Sequence, residues 1–336
     1  MTRPVAPPSR PSSRGRARPR GELAPGLENR RFLFVTGKGG VGKTTVSGAM
    51  ALAYAARGKR VLVALPHTKE RLSAILGSAP IGDEIVQAAP NVWAVNLSPE
   101  KALVEYGHLI LKVRALTTAV FDNRYTKTFF RAVPGLYEWA MLGKAWYHTT
   151  EKLADGSNRF DVVLFDAPAT GHGLDMLRVP KVILEVVPPG VLRRDAEAAW
   201  ALFRDPSRSG VVVVTLPEEM PTTETIELVR SIRTELGLPV LQVVANGVLP
   251  SLFPHEERAA LLRHAELLDV DAPAKAVGTP EAALVAGARR AVREDVQAES
   301  LRRLIEGIDG LPHYELPFLF DEASTAAGTR RLAKML

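Results

Sequence analysis

The stretch Gly37-Lys38-Gly39-Gly40-Val41-Gly42-Lys43-Thr44-Thr45 follows an apolar run, Arg31-Phe32-Leu33-Phe34-Val35-Thr36, and precedes a helical pattern from Val46 to Arg57. Strand, glycine loop and helix in that order are the context in which G-x-x-x-x-G-K-[ST] acts as a phosphate cradle. Glycines let backbone N–H groups converge on phosphates without Cβ clashes. The helix that begins near Lys43 adds the positive end of its dipole. Lys43 is placed to reach the β- and γ-phosphates, and the Thr44 hydroxyl to ligate Mg²⁺. The chain is therefore expected to bind a nucleotide.

Lys38 is a second lysine that an ordinary phosphate loop does not need. Read functionally, it points away from its own nucleotide and toward the phosphates of a facing subunit, stabilising transition-state charge as a finger arginine does. Read blandly, it is a solvated loop charge.

Outward from the loop, apolar runs alternate with helical patterns. Further strands are expected at residues 60–65, 91–96, 160–165, 210–215, 239–245 and 313–318, making seven with the first. Continuous β-branched runs between helices predict an α/β fold with a mostly parallel, doubly wound sheet covered on both faces. Ligands in such sheets sit at the carboxyl ends of the strands. The glycine loop, Asp166 and Asn246 all fall at such ends. Asp166 opens Asp166-Ala167-Pro168-Ala169-Thr170-Gly171-His172-Gly173, and a carboxylate there suits an aspartate that positions Mg²⁺ through its waters. The Pro/Gly-rich turn after it is a candidate switch, with His172 either reporting on it or serving as a plain turn residue. Asn246 offers a donor and an acceptor to adenine's N6/N7 edge, or is simply a turn asparagine.

Two segments interrupt the alternation. Residues 100–155 read as a helical subdomain rich in aromatics, among them Tyr106, Phe121, Phe129, Trp139 and Trp146, with interspersed lysines and arginines. This is either a buried aromatic stripe or an apolar groove for an amphipathic partner. Residues 253–308 are helical and charged.

Composition narrows the classes. Residues 1–31 carry eight arginines and two glutamates, so the remaining 305 residues hold 35 basic and 35 acidic side chains and no net charge. No basic face follows for the body, and nucleic-acid binding is not expected. Residues 1–30, rich in Pro, Arg, Ser and Gly, are expected to be disordered. They lack an apolar leader segment. The chain has no cysteine, which excludes disulfides and zinc–thiolate sites. No run of 18 apolar residues is present, so the expected location is cytoplasmic, with membrane contact at most peripheral.

With these residues placed, the chain resembles the ArsA/GET family of ATPases, which includes arsenite-pump and tail-anchored-protein-targeting members. Gly37–Thr45 is similar to the family's GKGGVGKTT, and Asp166–His172 resembles its second switch, D-T-A-P-T-G-H. Pro134-Gly135-Leu136 with Glu138 resembles PG-[IL]-x-E, and residues 213–225, with Pro217-Glu218 and Glu224-Thr225, resemble V-x-x-P-E…E-T. Asn246 falls where the family places an adenine-reading asparagine. The likeness covers about residues 31–330. It implies a dimer, with itself or with a related ATPase, that closes on ATP and Mg²⁺. In that dimer Lys38 acts in trans, Lys43 and Thr44 act in cis, and the helical insert carries a hydrophobic protein client.

Three departures qualify the likeness. The family's metal- or arsenite-binding cysteines are absent, so thiol-based arsenite extrusion is not expected. Little room remains after the last strand for a further domain. The first switch, D-P-A-H in relatives, reads Leu65-Pro66-His67-Thr68-Lys69-Glu70 here: anchored on Pro66, the place of the water-orienting aspartate falls on Leu65, and anchored on Leu76-Gly77 it falls near His67. His67 or Glu70 substitutes for it, or hydrolysis is slow, or a partner supplies the group. The competing readings are a catalytically weak nucleotide-binding subunit and a partitioning-type ATPase.

Overall fold

The computed structural model describes residues 26–111, 135–168, 170–265, 279–322 and 324–336. The expected disorder of the tail therefore lies, for residues 1–25, outside the described residues. Residues 26–30 belong to the body instead. Leu27 is fully buried, and its carbonyl accepts a hydrogen bond from the Tyr54 hydroxyl at 2.5 Å. The tail thus ends earlier than its composition suggests, because one leucine and a backbone contact anchor the last five residues.

The first strand, β1 (Phe32–Thr36), leads into helix α1 (Lys43–Ala55), followed by β2 (Val61–Pro66), the short α2 (Leu72–Leu76), β3 (Val86–Ala89), β4 (Val92–Leu97) and α3 (Pro99–Leu111). Then come α4 (Leu136–Tyr147), β5 (Val162–Asp166), α5 (Thr170–Val186), α6 (Val191–Arg204) and β6 (Ser209–Thr215). Next is α7 (Glu219–Ser231), prolonged by a π-turn to Leu236, then β7 (Val240–Val248), α8 (His255–Ala265), α9 (Pro280–Gly307), β8 (His313–Pro317) and α10 (Ala326–Ala333).

The described strands form one eight-stranded sheet in the order β3-β4-β2-β5-β1-β6-β7-β8. Every pairing is parallel except that of β3 with β4. The doubly wound α/β architecture expected from the sequence is the one observed. Seven strands were expected, and β3 is the eighth. It is four residues long and turns back through Pro90 and Asn91, whose φ of 59° is the left-handed conformation a tight turn needs. So short a run, Val-Gln-Ala-Ala, carries too little alternation to stand out from a loop.

β1 shows why the sheet is covered on both faces. Phe32 and Phe34 join one core with Phe165, Phe203 and Trp139, while Leu33 and Val35 join a second core with Val46, Met50 and Leu332. Period-two alternation sends successive apolar side chains to opposite faces, so a strand buried on both reads as an unbroken apolar run. The sheet's edges are short or polar. β3 has a register irregularity, and β8 carries His313, Glu315 and Pro317.

The helical insert is only partly described. Of its aromatics, Phe121 and Phe129 lie outside the described residues, as do Lys112 and Arg131. In α4, Trp139 is fully buried with Ala140, Leu142 and Ala145. That face of α4 is core, not an open groove.

Candidate nucleotide site

The phosphate loop joins β1 to α1 at the carboxyl end of the central strand, where the sequence places it. α1 begins at Lys43, a little before the apolar pattern becomes periodic, because the loop residues Lys43–Thr45 form its first turn. That turn's N–H groups have no partner within the helix and face outward for an anion. Two glycines are enforced by their surroundings. Gly37 (φ 146°) lies so close to β6 that any side chain would strike the carbonyl of Val214. Gly42 (φ 87°) caps α1 in the left-handed conformation, where a side chain would strike the Asn246 amide. Gly40 also has positive φ, at 85°. Gly39 and Val41 complete the loop, and Val41 is buried in the α1-side core.

Lys43 folds back over the loop and donates to the carbonyls of Gly37 (3.1 Å) and Lys38 (2.9 Å). Burial pulls its ammonium below the usual lysine range, and the Asp166 carboxylate opposes that shift. Asp166 ends β5, is 3 % exposed, and accepts from the Thr44 hydroxyl at 2.6 Å and the Ser47 hydroxyl at 3.0 Å. Burial pushes its carboxyl up to about 6, against the two hydroxyl donors and Lys43. Among the described residues no cluster of three or more His, Asp or Glu side chains forms a ready-made metal cage. Thr44 and Asp166 nevertheless bring two hard oxygen donors together beside a phosphate loop. This donor set fits Mg²⁺, which keeps waters and is shared with substrate phosphates.

Ser47 was not singled out from the sequence, although the signal was there. It lies three residues after Thr44 on one face of α1. Thr36 is a second such residue. Its hydroxyl is fully buried, makes no hydrogen bond, and lies where a side chain on Gly173 would meet it. It therefore touches the end of the second switch. His172 lies in α5, but its side chain is outside the described ones.

Asn246 sits within β7 at the same end of the sheet, and its amide donates to the Val41 carbonyl at 2.9 Å. One N–H is thus committed to the loop, leaving the oxygen and the second N–H available. The segment that follows is pinned to α9. Gln297 bonds both the N–H and the C=O of Leu249, and the buried Glu294 accepts from the N–H of Leu252 and from Arg290.

Lys38 does not hang free in solvent. Its ammonium pairs with Glu224 of α7 at 2.6 Å, both side chains being 33 % exposed. The first switch is also tied down. Leu65 is 1 % exposed, within the α1-side core. Glu70 is occupied as the cap of α2, accepting from the N–H and hydroxyl of Ser73, both at 2.7 Å. Asn96 clamps Thr68 through its N–H (3.2 Å) and C=O (2.9 Å). His67 is exposed and held at φ 48°, a conformation that costs a non-glycine residue about 1–2 kcal/mol.

The site therefore gathers Gly37–Thr45, Ser47, Asp166, Asn246 and Glu224 at one end of the sheet. Comparison with known proteins agrees with it. A family profile described as anion-transporting ATPase matches residues 30–188. A putative arsenical pump-driving ATPase of Halobacterium salinarum is 31 % identical over 246 residues, covering 68 % of this chain and 37 % of that protein. ATPase BagA of Mycobacterium tuberculosis is 25 % identical over 309 residues, covering 88 % of this chain and 89 % of its own length. An arsenical pump-driving ATPase of Escherichia coli is 28 % identical over 240 residues, of which the chain spans 40 %. The chain thus spans less than half of the pump-driving relatives and most of the mycobacterial one. Among the described residues no helix is long and apolar enough to cross a membrane. Loop, buried aspartate and matched segment agree: the chain belongs to the ArsA family of ATPases.

Proposed function

We propose that the protein binds and hydrolyses ATP with Mg²⁺ as a dimer whose closure acts on a protein or membrane-protein client. The observation that carries this reading is the 2.6 Å contact between Thr44 and the buried Asp166, beside a lysine-bearing phosphate loop. In this reading Thr44 holds Mg²⁺ directly and Asp166 holds it through water. The metal, when bound, neutralises phosphate charge. Lys43 leaves its carbonyl partners for the β- and γ-phosphates. Asn246, fixed by Val41, presents its oxygen to the adenine amino group. Lys38 leaves Glu224 to reach a nucleotide across the interface. That exchange is cheap, since a half-exposed ion pair contributes about 0–1 kcal/mol.

A second reading has support of its own. With Leu65 buried and Glu70 committed to a cap, only the strained, exposed His67 stands near the usual place of a water-orienting group. The chain would then be a slow ATPase, or a nucleotide-binding subunit paired with an active relative. Steady-state ATPase assay of the purified chain beside Lys43→Ala separates the two. Slow turnover that Lys43→Ala abolishes is expected, and turnover no higher than the variant's would leave the non-catalytic reading.

A further inference from the structure

A cavity of about 570 Å³ lies at the far end of the sheet from the phosphate loop. Arg31 and Arg208, the residues just before β1 and β6, form its floor, with Lys152 and Asn158 beside them. Trp146 of α4 and Ala198, Ala201 and Leu202 of α6 form an apolar wall. β1 alone separates this floor from Gly37 by about 17 Å of strand, so the cavity is no part of the nucleotide site.

Its polar side sets three cations, Arg31, Arg208 and Lys152, against one carboxylate, that of Asp205. Arg31 gives its hydrogen bonds to neutral carbonyls, those of Phe160 (2.8 Å), Asp161 (2.5 Å) and Thr149 (2.5 Å). Lys152 bonds the side-chain oxygen of Asn158 at 2.6 Å, which leaves the Asn158 amide donors without a partner among the described residues. Arg208 makes no side-chain hydrogen bond among the described residues. None of these three cations has a carboxylate within ion-pair distance among the described residues, whereas Arg302, Arg290, Arg178 and Lys101 all do.

The nearby acids take their hydrogen bonds elsewhere, although Asp205 lies within electrostatic reach of Arg208 and Asp161 of Arg31. Asp205 accepts from the N–H and hydroxyl of Ser207, Asp161 is held by Arg60, and Glu151 by His148 and Arg159. Burial lowers the Arg31 pKa below its ordinary value; Asp161 opposes that shift and the nearby Arg208 adds to it. This local surplus of cations, in a body of near-zero net charge, indicates that a ligand brings further acceptors.

We infer that this cavity binds a small phosphomonoester, its dianionic head between Arg31, Arg208 and Lys152 and its apolar or aromatic body against Trp146 and α6. The volume falls within the range of small-molecule sites. A guanidinium pair matches the several oxygens of a phosphate better than the two of a carboxylate.

Calorimetry with phenyl phosphate on the full chain tests this, with inorganic phosphate and benzoate as the comparison ligands. Arg208→Glu alters an exposed side chain and should fold normally, while Lys43→Ala removes phosphate binding at the nucleotide loop. Phenyl phosphate should bind Lys43→Ala and wild type alike and bind Arg208→Glu at least about tenfold more weakly. Phosphate and benzoate should each bind more weakly than phenyl phosphate. Binding that Lys43→Ala abolishes would place the ligand at the nucleotide loop and overturn the inference, as would binding indifferent to Arg208→Glu. Absence of phenyl phosphate binding, with Arg208-dependent binding of an acidic peptide or anionic vesicles instead, would also overturn it, showing a macromolecular surface.

Discussion

Asp166 is a carboxylate kept from water by the fold and solvated by two hydroxyls. Its pKa is raised from 3.8 to about 6, so the folded state holds a proton that the unfolded chain releases. The associated stability is fully present below pH 3.8 and lost as pH rises through about 6, a decline on the order of 2–3 kcal/mol. Melts of the nucleotide-free protein between pH 4 and 7 should show this slope, and Asp166→Asn should flatten it. The same variant should lose most Mg²⁺-dependent nucleotide affinity, and a variant whose affinity is unchanged would remove Asp166 from the metal's surroundings. Lys38 and Glu224 form the second residue-scale test. Lys38→Ala should keep nucleotide affinity within severalfold and lose turnover, whereas equal loss of both would make it a ligand in cis. Glu224→Gln should leave stability within about 1 kcal/mol, because the pair is half-exposed, and turnover should not fall.

At the scale of elements, much was legible and some was not. The phosphate loop was readable because its glycines answer backbone demands that no other residue meets, as the Val214 carbonyl beside Gly37 shows. Asp166 was readable because it ends a wholly apolar strand. β3 was hidden by its brevity, and Ser47 by being read as part of a generic helix. The cap role of Glu70 depends on where α2 begins, which its five residues do not reveal by periodicity. The clamp of α9 on the segment after Asn246 was hidden for another reason: Glu294 looks like a solvated helix charge, and Gln297 like a solvated amide, until the tertiary contact buries the first and half-buries the second. Glu294→Ala should strip the Leu252 N–H of its acceptor and Arg290 of its carboxylate partner, costing about 1–3 kcal/mol. Denaturant titration would measure that cost. Hydrogen exchange should show faster opening at Leu249 and Leu252, and unchanged protection there would mean that the clamp is incidental.

For the whole molecule, the boundary of the folded body can be tested by truncation. Removing residues 1–25 should leave the melting temperature unchanged. Removing residues 1–30 takes away the fully buried Leu27 and the acceptor of Tyr54, and should cost about 2–4 kcal/mol. Equal stability of the two truncations would show that Leu27 contributes no anchoring. The sheet's margins bear on assembly. One edge is a four-residue strand with a slipped register, and the other carries a histidine, a glutamate and a terminal proline. Neither offers a long run of unsatisfied backbone partners, so a second copy gains little by extending the sheet sideways. A dimer of the kind proposed would then form at the rim of loops where β1, β5 and β7 finish, and its two molecules would face each other across their triphosphates.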